Sequence, residues 1–209
     1  NYIKVIYHLS LVSPKGVNTN AIAGMLDTKA SSVTDMLKKL SDKDLVSYQK
    51  YQGVTLTENG FLSAKMIVRK HRLWEVFLVD KLQFSWDEVH EIAEELEHIQ
   101  SIALIDKLDA FLGHPDFDPH GDPIPNRQGE IKKTSKLLLS EAELNQEYHC
   151  VGVKDSSSEF LKYLDKQKIA LGSVFKVIEK ESFDDTLTVE INAQEKIISN
   201  KIANNLYVQ

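Results

Sequence analysis

With a single cysteine in 209 residues, Cys150, this chain has no internal disulfide and no set of thiolates for a zinc or iron–sulfur site. Long apolar runs are missing too: no stretch approaches the roughly 20 residues a membrane-spanning helix needs. No signal peptide is visible, so the expected compartment is the cytoplasm. Proline and glycine are scarce and bunched, four of the five prolines and three of the nine glycines falling in GHPDFDPHGDPIPNRQGE, residues 113–130. Positive charge is short overall, 25 Lys and Arg against 31 Asp and Glu for a formal net of −6, so any nucleic-acid surface must draw on a local excess. Neither an internal repeat nor a low-complexity tract is present. What remains, 42% hydrophobic and 27% charged, is the balance of a soluble globular protein of one large or two or three small domains.

The Pro- and Gly-rich stretch reads as a helix stop and an extended linker between a helical front and a β-rich back. In front, YIKVIYHLSLV is an apolar-faced helix. In NTNAIAGMLDTKASSVTDMLKKLSDKDLV, Thr19 is expected to cap a short helix carrying Ile22, Met25 and Leu26. Ser31 is expected to cap a second helix with Val33, Leu37 and Leu40 inward. Two short helices joined by a tight turn form a helix-turn-helix, the second helix being the recognition helix. LVSYQKYQGVTLTENG then alternates around Gln52-Gly53 as a hairpin, or wing, and Thr57 starts a long helix. This order predicts a winged helix. Behind the linker, YHCVGV, SVFKVIEK, TLTVEI and KIIS are short β runs with one helix, SEFLKYLDK, inserted, which predicts a small all-β barrel.

Charge is locally positive at the presumed recognition helix, where Lys29, Lys38, Lys39, Lys43 and Lys50 face only Asp35, Asp42 and Asp44. The helix opens with Ser31, Ser32, Thr34 and Asp35, short polar side chains suited to base edges or phosphates. Together with Lys29, Lys38, Lys39 and Lys50 they make the expected duplex DNA surface. Winged helices also serve protein contacts, so this surface alone does not select DNA.

DEVHEIAEELEHIQS, residues 87–101, carries the most pointed chemistry. Each helical residue advances about 100°, so with His90 at zero Glu94 lies at about 40°, Glu97 at about 340° and His98 at about 80°. The apolar residues Val89, Ile92, Ala93, Leu96 and Ile99 fill the opposite arc. A Glu-rich face is commonly just solvated, but two imidazoles among the carboxylates add a ligand set for a divalent ion of intermediate hardness. Upstream, VRKHRLWEVFL stacks His71 and Glu75 one turn apart. His8, His114, His120 and His149 have no partner at ligand spacing and are expected to be ordinary surface or turn residues. Trp74 and Trp86 are expected to pack, and Cys150 to be a small buried residue.

ASSVTDMLKKLSDKDLVSYQKYQGVTLTENG, RKHRLWEVFL, VHEIAEELEH and GDPIP, in that order, resemble the recognition helix and wing, connecting helix, metal helix and close of the dimerisation domain of the diphtheria toxin repressor family of metal-dependent regulators, which includes the manganese transport regulators. The resemblance covers nearly the whole chain. It implies a mainly α protein with a small β domain: a winged helix-turn-helix over 1–62, a helical dimerisation and metal-binding domain over 63–126, a linker over 127–136 and an SH3-like, FeoA-like barrel over 137–209. It implies a cytoplasmic homodimer that binds double-stranded operator DNA, represses metal-uptake genes, and has neither a small-molecule substrate nor a membrane segment.

Two metal sites per chain follow from the same resemblance. The activating site falls on Asn1, Glu94, Glu97 and His98. The ancillary site falls on His71, Glu75 and His90, with Glu159 and either Asp155 or Ser156 reaching over from the C-terminal domain. Glu94 stands where iron-responsive members tend to have cysteine, which favours Mn(II) over Fe(II). Lys4 stands where short manganese regulators have a further carboxylate, which argues against their closely spaced two-metal cluster. Two other classes are open on the residues alone. A metallohydrolase would need a base or nucleophile in a cleft that the sequence does not offer. A winged-helix adaptor would use the barrel as a protein-interaction module and leave the acidic stripe in water.

Overall fold

The computed structural model describes residues 1–49 and 53–209. The chain divides into two compact units, one of residues 1–70 with 125–130 and one of residues 71–124 with 131–209. Lys50 and most of the hairpin turn at Gln52 lie outside the described residues.

The first unit holds α1 (Tyr2–Val12), α2 (Thr19–Met25), α3 (Ala30–Asp42), the antiparallel pair β1 (Val46–Gln49) and β2 (Gly53–Leu56), and the start of α4 (Glu58–Leu82). Ile6, Val17, Ile22, Val33, Leu37, Val54 and Ala64 are buried together at its centre, so the helix-turn-helix and wing share one apolar core. Val17 pairs with Val54 and ties the chain before α2 to the wing. The caps differ from expectation. Asn18, not Thr19, caps α2 by accepting from the Asn20 amide, because its side chain reaches the second helical N–H from the extended residue just outside the helix. Helix α3 starts at Ala30 after an extended Lys29, which leaves Ser31 inside the first turn rather than at its cap. Thr57 does cap α4, its Oγ1 accepting from the Gly60 amide at 3.0 Å. Gly60 is dictated by space: a Cβ there would lie 1.9 Å from the Leu45 carbonyl oxygen.

The second unit combines the remainder of α4, α5 (Val89–Leu96), α6 (Ile102–Phe111) and the β-rich region. Leu73, Val89, Ala93, Ile105, Leu108 and Ile124 form the core of its helical part. Ser101 caps α6 through the Leu104 amide. The expected helix over 87–101 is shorter than its apolar period suggests: α5 stops at Leu96, and Glu97 and His98 form a turn.

Six strands, β3 (Leu137–Leu138), β4 (Glu147–Val153), β5 (Val174–Lys180), β6 (Leu187–Ile191), β7 (Gln194–Ile198) and β8 (Leu206–Val208), form an antiparallel sheet in the order β3-β8-β4-β5-β6-β7, the SH3-like C-terminal domain. Leu187, Val189 and Ile191 alternate inward along β6, as a half-buried strand requires. Helix α7 (Ser158–Gln167) covers the sheet with Leu161 and Leu164, and a four-residue helix, α8 (Asn200–Ala203), precedes β8. Strand β4 is bulged between Cys150 and Gly152, the local kink a bulge produces.

Candidate metal centre

Helix α4 presents His71 and Glu75 on one face because they are four residues apart, and α5 brings His90 against them. His71 Nε2 lies 3.0 Å from Glu75 Oε1, His90 Nδ1 lies 3.4 Å from the same oxygen, and the two ring nitrogens are 3.2 Å apart. These spacings match the edges of a coordination polyhedron. Ligands about 2.1 Å from a common ion sit roughly 3.0 Å apart at right angles and roughly 3.4 Å apart at tetrahedral angles. The three donor atoms are therefore already spaced for one divalent ion.

A fourth residue orients the first. Glu97 is fully buried, and its Oε2 accepts from His71 Nδ1 at 2.8 Å. Were an ion bound, with the one ring proton kept on Nδ1, the His71 lone pair would be at Nε2, toward Glu75 and His90. Metal-binding histidines are commonly held by such a carboxylate. Glu97, on the residue-by-residue reading a ligand of the activating site, thus also contacts a residue of the ancillary one.

A second group shares Glu75. Asp118 and His120, from the proline-rich stretch, offer donors that lie with a Glu75 oxygen within 4.8 Å of one another, and His120 Nδ1 is 3.8 Å from Glu75 Oε1. The loop is preset: Asp118 Oδ1 accepts from the amides of His120 and Asp122, each at 2.9 Å. Arg72 grips Asp118 Oδ2 at 3.3 Å, Asp122 Oδ2 at 3.1 Å and the Pro123 carbonyl. The expectation that His120 is an ordinary turn residue is therefore corrected. It is 5% exposed, its ring stacks on Trp86, and its Nε2 donates to the Trp86 carbonyl at 2.8 Å. Sequence spacing missed it because its partner, Glu75, is 45 residues away on another element. The usable signal was DPHGD, an Asp two residues before a His in a turn-forming stretch.

Burial would raise the Glu75 carboxyl, but hydrogen bonds from His71 and His90 and the nearby charge of His71 and His120 outweigh it and hold the group well below the usual carboxylate range. Asp118 goes the other way, pushed up to about 7 by burial and by the negative charges of Glu75 and Asp122, with Arg72 and His120 only partly compensating. Glu75 and Asp118 are thus two buried carboxylates of one cluster, with Arg72 as the cation on Asp118. Cys150 plays no part: it is buried in the barrel core, and burial pushes its thiol up to about 11.

The remaining proposed ligands are spread over both units. Glu94 is half-buried on α5, His98 is exposed in the turn after it, and Asn1 is exposed ahead of α1 in the first unit. Asp155 accepts from the Ser157 amide, while Ser156 and Glu159 are exposed at the start of α7. None of these six is among the His, Asp and Glu groups that converge within the described residues. His114 has a partner the spacing reading overlooked, an exposed ion pair to Asp109 at 2.7 Å.

On α3, Ser31, Ser32, Asp35, Lys38 and Lys39 are exposed, as is Lys29 before it, while Val33 and Leu37 point inward. Thr34 is half-buried and its hydroxyl donates to the Ala30 carbonyl. Lys38 and Asp35 form an exposed pair at 3.4 Å. Residues 1–70 carry ten Lys and Arg against five Asp and Glu, a net of +5, whereas the rest of the chain carries fifteen against twenty-six, a net of −11. Among the apolar residues of the helices after the wing, Leu78, Ile105 and Leu108 are core and Leu112 is half-buried, whereas Leu82, Ile102, Leu104 and Phe111 are exposed, with Ile102 at 70% and Phe111 at 64%.

Three family models match the chain in order: the iron dependent repressor N-terminal DNA binding domain over residues 1–54, the iron dependent repressor metal binding and dimerisation domain over 57–126, and the FeoA domain over 137–209. The HTH-type transcriptional regulator MntR of Oceanobacillus iheyensis is 30% identical over 144 residues, covering 68% of this chain and 95% of that protein. A probable metal transport system membrane protein of Chlamydia trachomatis is 46% identical over 88 residues, 42% of this chain but only 19% of that protein, so the chain spans a small part of that relative. Among solved structures, a manganese-dependent transcriptional repressor in complex with manganese superposes with a TM-score of 0.83 at 31% identity, over 99% of this chain and 97% of that one.

Proposed function

We propose that this chain, which belongs to the iron-dependent repressor family, is a metal-activated repressor that binds operator DNA as a homodimer and controls manganese or iron uptake genes in the cytoplasm. The observation that carries this reading is the convergence of His71 Nε2 and His90 Nδ1 on Glu75 Oε1 at ligand-to-ligand spacing. A bound divalent ion supplies the positive charge that these donors lack. His71 and Glu75 come from α4, His90 from α5 and Asp118 and His120 from the following loop, so the donors are in reach of one another only when these segments keep one arrangement. That arrangement is the state the ion favours, and if it is also the DNA-binding state, operator and ion strengthen each other equally.

The donor set, carboxylate and imidazole without thiolate, supports Mn(II), with Fe(II) as the alternative. Two ions per chain are proposed. The ancillary position rests on His71, Glu75 and His90 with Glu159, Asp155 or Ser156. The activating position rests on Asn1, Glu94, Glu97 and His98 from the family resemblance. Lysines 29, 38, 39 and 50 would meet phosphates, and Ser31, Ser32, Thr34 and Asp35 the groove. The name of the chlamydial relative, a metal transport protein, supports uptake as the regulated process. Catalysis is not part of this reading.

The test is retardation of an operator fragment selected from random duplexes by the Mn(II)-loaded chain. Binding that appears with micromolar Mn(II), disappears with chelator and is lost in His71→Ala or His90→Ala supports the reading. Equal binding in chelator contradicts it and leaves a winged-helix protein that is indifferent to metal.

A further inference from the structure

Apart from the ligands proposed near the start of α7, the barrel touches the metal centre through main chain. His120 is held from two sides. Its ring Nε2–H donates to the Trp86 carbonyl, which turns Nδ1 toward Glu75. Its own carbonyl accepts from the Val153 amide of β4 at 2.9 Å. The loop therefore lies directly on the barrel strand, at the bulge between Cys150 and Gly152.

Two glycines make that crossing possible. A Cβ on Gly121 would lie 2.0 Å from the Val151 carbonyl oxygen, a flat exclusion. A Cβ on Gly152 would lie 3.1 Å from the His120 carbonyl oxygen, 3.3 Å from the Gly121 carbonyl oxygen and 3.4 Å from the Gly121 Cα. Gly152 has no positive φ, and the three atoms nearest an alanine methyl there are all main chain of the ligand loop. Room for the methyl must come from displacing the loop by a few tenths of an ångström. Further support links the same parts: Trp86 Nε1 donates to Asp165 of α7 at 3.0 Å, and Asp87 accepts from Ser158 at 3.3 Å and pairs with Lys162 at 3.4 Å.

We infer that Gly152, a barrel residue that ligates nothing, is a positioning residue that sets the metal affinity of the Glu75–Asp118–His120 group through the main chain of His120 and Gly121. The inference rests on the metal-centre reading given above. It gives the barrel a role in metal binding, with strand β4 as the backstop against which the ligand loop is held at the right distance from Glu75. By linkage, an ion held by that group must in turn tighten the β4 contact.

The experiment uses the full chain and Mn(II) alone, with free Mn(II) counted by electron paramagnetic resonance. His120→Ala defines the class of ions that this group holds. In Gly152→Ala that class weakens by about tenfold or more, the range for loss of an outer support of a ligand, and fills again at higher Mn(II), while ions lost on His90→Ala alone keep their affinity. Gly24→Ala, where a Cβ meets nothing within 4 Å, binds as the unsubstituted chain does. Hydrogen exchange of the unsubstituted chain is the second measurement and needs no variant: the Val153 amide exchanges more slowly at saturating Mn(II) than in chelator. Wild-type binding by Gly152→Ala, or an unchanged Val153 exchange rate, overturns the inference. Wild-type binding by His120→Ala is a different failure, since it removes this group from the metal-centre reading itself.

Discussion

Glu75 is the one carboxylate common to both donor groups, so its neutralisation has consequences that can be worked out in advance. Glu75→Gln keeps the shape of a side chain that is 2% exposed but removes the charge facing nitrogens of His71, His90 and His120 at 3.0, 3.4 and 3.8 Å. Hydrogen bonds to a charged group are worth about 1.5–3 kcal/mol against about 0.5–1.5 kcal/mol for neutral pairs. The His71 contact is buried and loses about 1 kcal/mol. The His90 side chain is 55% exposed, so its contribution is discounted for solvent screening, and the total is about 1–2 kcal/mol. For a chain of this length each kcal/mol moves Tm by about 2–4 °C, so the metal-free variant should melt about 2–8 °C lower.

The pH dependence has a definite sign. The Glu75 carboxyl is held below its usual 4.5 in the folded chain, so its contribution is fully present above about pH 4.5 and is lost as the pH falls through the lower, folded value. The gap in Tm between the variant and the unsubstituted chain, measured by circular dichroism in chelator, is therefore complete at pH 7 and narrows in acid. Mn(II) titration of the same variant should lose both donor groups, each by more than the roughly 100-fold upper end expected for an outer-shell change. An unchanged Tm, a gap that widens in acid, or undiminished Mn(II) binding would refute this account of the cluster.

Other outcomes follow from the same geometry. Lys38→Ala and Lys39→Ala should each weaken operator binding across sequences and lower the slope of log affinity against log salt by about one, read by fluorescence anisotropy over a salt series. Ile102→Asp or Phe111→Asp places a charge on the exposed apolar face of α6 and should shift the chain from dimer to monomer in sedimentation velocity, with melting little changed because neither side chain is core. Cys150, 3% exposed with its thiol pushed up to about 11, should resist a thiol reagent at pH 8 in the folded chain and react at once in denaturant.

Local pattern carried the architecture well where apolar period and turn chemistry agreed. The long helix begins at Thr57 as expected, with Thr57 as its cap, and the four β runs named from their β-branched residues are β4 to β7. Strands β3 and β8 are only two and three residues long and gave no periodic signal, although β8 lies between β3 and β4 in the sheet. Helix ends were less legible: Asn18 took the cap assigned to Thr19, since either neighbour is chemically able to cap. At the candidate metal centre, His71 and Glu75 were legible as neighbours because one helix carries both, and His90 because it belongs to a crowded stripe. Asp118 and His120 were invisible, since the tertiary fold alone brings the proline-rich loop to Glu75. The wheel draws Glu97 beside His90, and both contact His71; it gives no sign that Glu97 is fully buried while His98 is exposed.

A divalent ion and an operator should favour the same state of this chain. Calorimetric titration of Mn(II) into the chain alone and into the chain saturated with its operator tests it directly, when combined with operator affinity measured with and without Mn(II). Operator should tighten Mn(II) binding by the same factor by which Mn(II) tightens operator binding, and the coupling should vanish in Glu75→Gln. Identical Mn(II) affinity in the two titrations would contradict it.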